Sequence, residues 1–423
     1  MELDYFYWLL LLLLFGRAIG EVFRRFGFQP LIGEVLAGLI LGPALLGLIV
    51  ITADDENPLD TLAYFSQFGI LMLMLLAGLI TDFESFAENK MYSIVIGASG
   101  VIVSFFVVFL PLYFLLSIDF VSSLFIAAVL SNTAIEICAA LLIHSSNQRL
   151  KAVVIGASFV DDILAVFIIG VVSPFVFLEV VPEPTEIIWL AARVIIFLIV
   201  ILMVATWLLE KLFDRLHKGT EEFKLMLTTT FILTFLFALA ATWVGLHFVI
   251  GAYLAGLVIG KWGSKVGPML RRRITWRKLV EDIDPPLRAI FGPIFFGYIG
   301  LSVSFIVWDG IDKGTVNFAE VFYLIVLLGI LVFVGKILGC GLGARICKFG
   351  KNESLTIGFA MCGRGALELV LLSFGLEIGA IDEAQFTALV IVTLITIIFT
   401  PILYTLQEKR AEKRAQESTS DET

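Results

Sequence analysis

Charge is scarce in this sequence. Asp, Glu, Lys and Arg make up 16% of the 423 residues, against 59% hydrophobic. A soluble domain carries about a quarter charged residues, so a soluble globular protein is excluded. The mean hydropathy of +1.00 places the chain among polytopic membrane proteins. The net charge of -9 says little about partners, because the charges lie in loops and tails. Cysteine is as sparse: Cys138, Cys340, Cys347 and Cys362 fall within apolar stretches or at the end of one, which excludes a disulfide framework. The three histidines, His144, His217 and His247, sit at the ends of apolar stretches and read as interfacial residues rather than pH sensors. The first apolar run, YFYWLLLLLL, follows an acidic start and lacks a small-residue cleavage motif, so it is expected to be a retained span and not a signal peptide.

What is present is a succession of apolar segments long enough to cross a bilayer. Thirteen are read, at 4–23, 29–50, 60–81, 91–116, 120–144, 151–178, 185–209, 224–243, 246–262, 286–307, 318–345, 354–378 and 385–407. Each is expected to be a helix, since a lone strand cannot satisfy its backbone in lipid. The fold class is therefore an all-α polytopic membrane protein.

Basic residues orient the spans. Apart from Lys313, Lys336, Arg193 and Arg364, all 29 lysines and arginines fall on the side of the odd-numbered loops and the C-terminal tail. The opposite loops are acidic: TADDENPLD, EVVPEPTE and IGAIDEA. The N-terminus is expected outside and the C-terminus in the cytoplasm.

The sequence also repeats. GEVLAGLILG at 33–42 matches GAYLAGLVIG at 251–260 in six of ten positions, and FGILMLMLLAGL at 68–79 is echoed by FGPIFFGYIGL at 291–301. The offset is seven segments. An odd offset reverses orientation, giving the inverted-topology repeat of secondary transporters. Segments 1–6 and 8–13 form the two repeats. Segment 5 then corresponds to segment 12, and both are interrupted at mid-depth. Segment 5 carries LSNTAIE at 130–136, where Ser131, Asn132 and Thr133 favour helix ends. Segment 12 carries MCGRGALE at 361–368, with two glycines around Arg364. Paired interruptions predict two broken helices whose free backbone ends meet near the bilayer midplane.

Charges inside the spans are few and costly. Asp161 and Asp162 lie side by side in segment 6. Neighbours on a helix are about 100° apart, so one carboxylate can meet a fixed partner while the other faces elsewhere. Lys336 is the deep lysine, in segment 11. Arg364 and Glu368 flank the segment 12 break and can pair on one face. Glu136 follows the segment 5 break, as a wall residue or part of the ion route. Glu34 and Arg193 lie nearer span ends and are expected to snorkel.

In this order and spacing, GEVLAGLILGP, the VDD of segment 6, the GK of segment 11 and CGRGALELVLLSFGLEIGAID resemble the monovalent cation:proton antiporter superfamily, in its paired-aspartate branch of electrogenic sodium/proton and Kef-like potassium/proton exchangers. The resemblance covers nearly the whole chain. It implies a homodimerising domain from 1–81 and 224–307, a core ion-translocation domain from 91–178 and 318–407, a connecting helix at 185–209 and a polar cytoplasmic tail at 408–423. It implies that Asp162 carries cation and proton alternately and that Asp161 pairs with Lys336. Thr133, Asn132 and Ser131 would lend oxygens to the transported Na+, Li+ or K+, which Asp162 and Asp161 would hold. Related members place a glutamate directly after Arg-Gly, where this chain has Ala366, which makes Glu368 and Arg364 supporting residues at most. The chain also lacks the nucleotide-binding regulatory domain of many potassium-efflux relatives, which favours sodium. Beyond the lipid of the cell (inner) membrane and the transported ions, no cofactor and no nucleic acid is implied.

Other classes fit less well. Membrane prenyltransferases need a third acid after the pair, where Ile163, Leu164 and Ala165 stand. Intramembrane aspartyl proteases put their aspartates on separate helices. A buried lysine beside the dyad opposes a cation channel. A sodium-coupled organic-anion symporter shares this type of fold and is separated by a proton-counterflow assay.

Overall fold

The computed structural model describes residues 4–49, 58–80, 89–142, 147–172, 222–243, 248–264, 270–313 and 318–420, with Phe175 and single positions between 185 and 203. The expected segment 185–209, Arg193 and the three histidines lie wholly or largely outside the described residues. Every described regular element is helical: α1 Asp4–Arg25, α2 Pro30–Leu41, α3 Pro58–Leu79, α4 Lys90–Leu110 with a π-helical turn Pro111–Leu115, α5 Phe120–Leu130, α6 Ile135–Leu141, α7 Gln148–Val172, α8 Glu222–Trp243, α9 Phe248–Ser264, α10 Leu270–Lys313, α11 Phe318–Ile346, α12 Lys351–Ala360, α13 Ala366–Glu377 and α14 Glu383–Ser420. Eight of the described helices are long and apolar enough to cross a membrane. The all-helical membrane architecture matches the reading from sequence, and segments 5 and 12 are each broken, into α5 and α6 and into α12 and α13.

Several ends fall elsewhere than expected. Segment 2 was read to residue 50, yet α2 stops at Leu41. A proline disfavours helical geometry in the residue before it, and Gly42, preceding Pro43, is extended. The chain then folds back, with the amides of Leu48 and Ile49 both donating to the Leu41 carbonyl at 3.0 Å. In the other direction, α10 begins at Leu270 rather than 286, and α14 runs on to Ser420. Hydropathy marks where lipid lies, whereas a hydrogen-bonded helix continues into water wherever its residues tolerate it.

The chain divides into two compact units, Met1–Thr81 with Val180–Thr315, and Asp82–Glu179 with Val316–Thr423. In the first, the sequence repeat has a packing counterpart. Gly38 of α2 lies against the backbone of Gly297 and Leu301 in α10, and Gly256 of α9 against Leu75 and Gly78 in α3. Repeated small residues let repeated helix pairs touch through their backbones. Glu34 departs from its expectation. It does not snorkel: it is 4% exposed, with its side chain beside Gly20 of α1 and Gly292 of α10. Both neighbours lack a side chain, which leaves room for a carboxylate between the helices.

In the second unit, α4 packs on α11 and α7, while α14 packs on α11, α12 and α13. Small residues at Ser93, Gly97, Gly100 and Ser104 put one narrow face of α4 against its neighbours, all four buried.

Candidate cation and proton site

The site forms where the two broken helices cross in the second unit. The extended stretches between α5 and α6 and between α12 and α13 hydrogen-bond to each other. The Ala134 amide donates to the Gly363 carbonyl at 2.9 Å. The Thr133 hydroxyl donates to the Met361 carbonyl at 2.8 Å, and the Cys138 thiol to the Ala360 carbonyl at 3.2 Å. Glycine is required at 363: a β-carbon there would stand 2.5 Å from Cγ2 of Ile137 on α6.

Breaking two helices in the membrane leaves amides and carbonyls that water cannot reach. Charged side chains meet part of that demand. The Arg364 guanidinium, fully buried, donates to the Asn132 carbonyl at the end of α5. Glu368, also fully buried, accepts from the Gly365 amide at 2.7 Å and caps α13. A cation at a carbonyl end and an anion at an amide end both oppose the local helix dipole. The Glu368 carboxylate also acts electrostatically on Arg364. Ser131 turns its hydroxyl back to the Ala128 carbonyl at 2.8 Å.

The paired aspartates stand next to this crossing, on α7. Asp161 is ion-paired through Oδ2 with the Lys336 ammonium of α11, and neither side chain has any exposed surface. Asp162, one residue on, keeps 7% of its surface accessible. The 100° step between neighbours thus separates a sealed, paired carboxylate from one that retains access. Asn132 is fully buried, and neither polar atom of its side chain has a hydrogen-bond partner. Such orphans cost about 1–3 kcal/mol each, which is explained where a transient ligand takes up the bond. Glu136 lies in the first turn of α6, but its side chain lies outside the described residues.

Among the described residues, no three His, Cys, Asp or Glu gather as a metal cluster. The oxygens that could surround a cation are instead mixed: carboxylates, the Asn132 and Thr133 side chains, and carbonyls at the crossing. Few carboxylates and several neutral oxygens suit a transported monovalent ion better than a resident divalent one.

Two further residues belong to the site. Gly100 of α4 lies directly on the ion pair: a β-carbon there would stand 3.7 Å from Asp161 Oδ1, 3.8 Å from Lys336 Nζ and 2.5 Å from Cys340 Sγ. Its signal is the small-residue face of segment 4. Ser158, one turn before the aspartates, donates to the Val154 carbonyl at 3.0 Å and touches Cys138 Sγ and Met361 Sδ at 3.2 and 3.3 Å.

The model of the transmembrane sodium/hydrogen exchanger family matches residues 10–405. Among curated proteins, the chain is 27% identical to the Na(+)/H(+)-K(+) antiporter GerN of Bacillus cereus, covering 98% of this chain and 100% of that one. It is 26% identical to a Na(+)/H(+) antiporter of Enterococcus hirae, over 93% and 96% of the two chains. Among solved structures, the sodium proton antiporter MjNhaP1 from Methanocaldococcus jannaschii superposes with a TM-score of 0.70 at 16% identity, covering 98% and 99% of the two chains. A core of crossed broken helices, a buried acid pair with its lysine and a match along nearly the whole length converge: the chain belongs to the sodium/hydrogen exchanger family.

Proposed function

We propose that this antiporter moves Na+ or K+ against protons by alternating access, with Asp162 as the carboxylate that cation and proton share. The observation that carries the reading is the sealed Lys336–Asp161 pair standing beside the more accessible Asp162 at the helix crossing. A bare carboxylate at this depth is unfavourable, while one that is protonated, cation-bound or lysine-paired is tolerated. The site therefore changes sides loaded and rarely empty, which gives obligatory exchange.

In the empty, proton-loaded state Lys336 holds Asp161 and a proton sits on Asp162. Cation entry displaces the Asp162 proton and draws on Asp161, freeing Lys336 to release a second proton. Two protons for one cation make the cycle electrogenic. Asn132 and Thr133 supply neutral oxygens, while Arg364 and Glu368 hold the crossing in shape. GerN, described as a Na(+)/H(+)-K(+) antiporter, is the reason to keep potassium beside sodium as substrate. The unit built from the two ends of the glycine repeat is the dimerising scaffold in this reading. The N-terminus lies outside the cell membrane and the C-terminus in the cytoplasm, in line with the basic loops.

The test is proton release in proteoliposomes on addition of Na+, Li+ or K+ separately, with Asp162→Asn alongside. The substitution keeps shape and removes the titrating charge, so exchange is lost while the protein stays folded. A folded Asp162→Asn protein that exchanges normally overturns the assignment.

A further inference from the structure

Outside the crossing, a buried polar strip runs down α14. Thr393, Thr396, Thr400, Tyr404 and Gln407 are all buried. At 100° per residue they fall within an arc of about 80° and extend over about 21 Å of helix. Toward the N-terminal end of the helix the same strip is apolar, with Phe386 and Leu389 buried in it. The strip thus changes character at Thr393 and stays polar to the C-terminal end of the span. There the Tyr404 hydroxyl donates to Oε1 of half-buried Glu408 at 2.9 Å.

Membrane threonines ordinarily turn the hydroxyl back to a carbonyl of the preceding turn. Thr230, Thr234, Thr356 and Thr405 do so here at 2.8–2.9 Å, and Thr396 reaches the Thr393 carbonyl at 2.7 Å. Three threonines of α14 do not: the hydroxyls of Thr387, Thr393 and Thr400 are buried without a partner, and the last two lie on the strip. Each is a cost with no return in packing alone.

The strip is level with the ion pair. Ala388 shares a buried cluster with Val321 and Leu324 of α11. Tyr404 shares another with Cys340 and Ala344, together with Met361 and Cys138 of the crossing. Both helices run in the same direction, and the residues that each cluster brings together lie 60 to 67 apart in sequence. Such offsets put Thr400 within about one helical turn of the depth of Lys336. The charged residues of the neighbouring helix ends have bonds of their own: Arg345 donates to the Phe349 carbonyl at 2.9 Å, and Glu353 accepts from the Gly350 amide at 3.0 Å. Lys351 opens α12 and is exposed.

We propose that Thr393, Thr396, Thr400 and the Tyr404–Glu408 pair line a narrow file of water that carries protons, and not the cation, between the cytoplasmic face and the Lys336–Asp161 pair. The file offers single hydroxyls in a row, enough to hold water molecules end to end for proton hops. It offers no carboxylate at depth and no ring of oxygens that would replace the hydration shell of Na+ or K+. Glu408 collects or releases the proton at the mouth. Cation and proton then reach one site by separate routes on its cytoplasmic side. This rests on the reading of Lys336 and Asp161 as a proton-exchanging pair.

The experiment is exchange in proteoliposomes of Thr393→Val, Thr400→Val and Tyr404→Phe, which keep the shape of the side chain and replace the hydroxyl with a methyl group or, in Tyr404→Phe, delete it. Thr400→Ser and Asp162→Asn serve as controls. The maximal rate of the hydroxyl-deleted variants is expected to fall about tenfold, the effect of raising a barrier by about 1.4 kcal/mol, with the loss greatest at high pH where protons are scarce. The Na+ KM stays at the wild-type value and Thr400→Ser restores the rate. Three hydroxyl-deleted variants at wild-type rate, with Asp162→Asn inactive, overturn the file and leave the exchange site standing. A raised Na+ KM in Thr400→Val, with the rate intact, overturns the exclusion of the cation. An active Asp162→Asn instead overturns the exchange site itself.

Discussion

The Lys336 ammonium and the Asp161 carboxylate form an ion pair with no exposed surface, joining α11 to α7 beneath the glycine face of α4. A buried pair of this kind is weak evidence for stability, since desolvation offsets the attraction. Removing one partner is a different matter, because the other is left charged and buried. The pair therefore locks the resting core and makes any step that separates it dependent on a replacement ligand.

Replacing Lys336 tests both aspects. Lys336→Met should lower stability by about 3–5 kcal/mol, and the double variant Lys336→Met, Asp161→Asn should recover most of it. Calorimetric unfolding in detergent measures the loss and the recovery. In liposomes, the single variant that still exchanges should have lost its response to an imposed potential, which acts on each net charge moved at about 2.3 kcal/mol per 100 mV. Wild-type exchange that ignores the potential rules out two protons per cation.

Gly100 is expected to accept no side chain. Gly100→Ala drives a methyl group against Cys340 Sγ and toward the ion pair, an overpacking cost of about 1–3 kcal/mol. Shrinking the neighbour should relieve it, so Gly100→Ala, Cys340→Ala should be more stable than Gly100→Ala alone. A melting series over wild type and the two variants decides whether the clash or some other property of Gly100 matters.

Asn132 separates binding from folding. The hydrogen bonds of the crossing use its backbone carbonyl and the groups around it, while its side chain makes none. Asn132→Ala removes the two orphaned atoms and should not lower the unfolding temperature, while it should raise the cation KM about tenfold, the loss of one ligand bond worth about 1.4 kcal/mol. An unchanged KM would remove Asn132 from the ligand set.

If protons and cations share Asp162, as proposed, they must compete, because a carboxylate binds the cation only when deprotonated. Lowering pH should raise the apparent KM for Na+ and for K+, approaching about tenfold per pH unit for each proton displaced. The measurement is KM at several pH values with no imposed potential. A flat profile would mean that the two ions do not meet at Asp162.

Several elements are determined by the sequence alone, because they depend on what a residue is and not on what it meets. Apolar length makes the spans, and Ser131-Asn132-Thr133 and Gly363-Arg364-Gly365 break helices by local chemistry. An aspartate pair in a hydrophobic segment marks expensive charge wherever it lies. Tertiary structure decided the rest. Gly100 reads as one small residue among many until α4 is laid on Asp161 and Lys336. Glu34 lies near a span end and reads as interfacial, yet the glycines of two other helices make a buried place for it. The orphaned hydroxyls of Thr393 and Thr400 have the same sequence character as threonines that bond back to their own helix. Hydropathy is a property of one segment in lipid, whereas burial, partnership and depth are properties of several segments packed together, and only the folded chain brings those segments into contact.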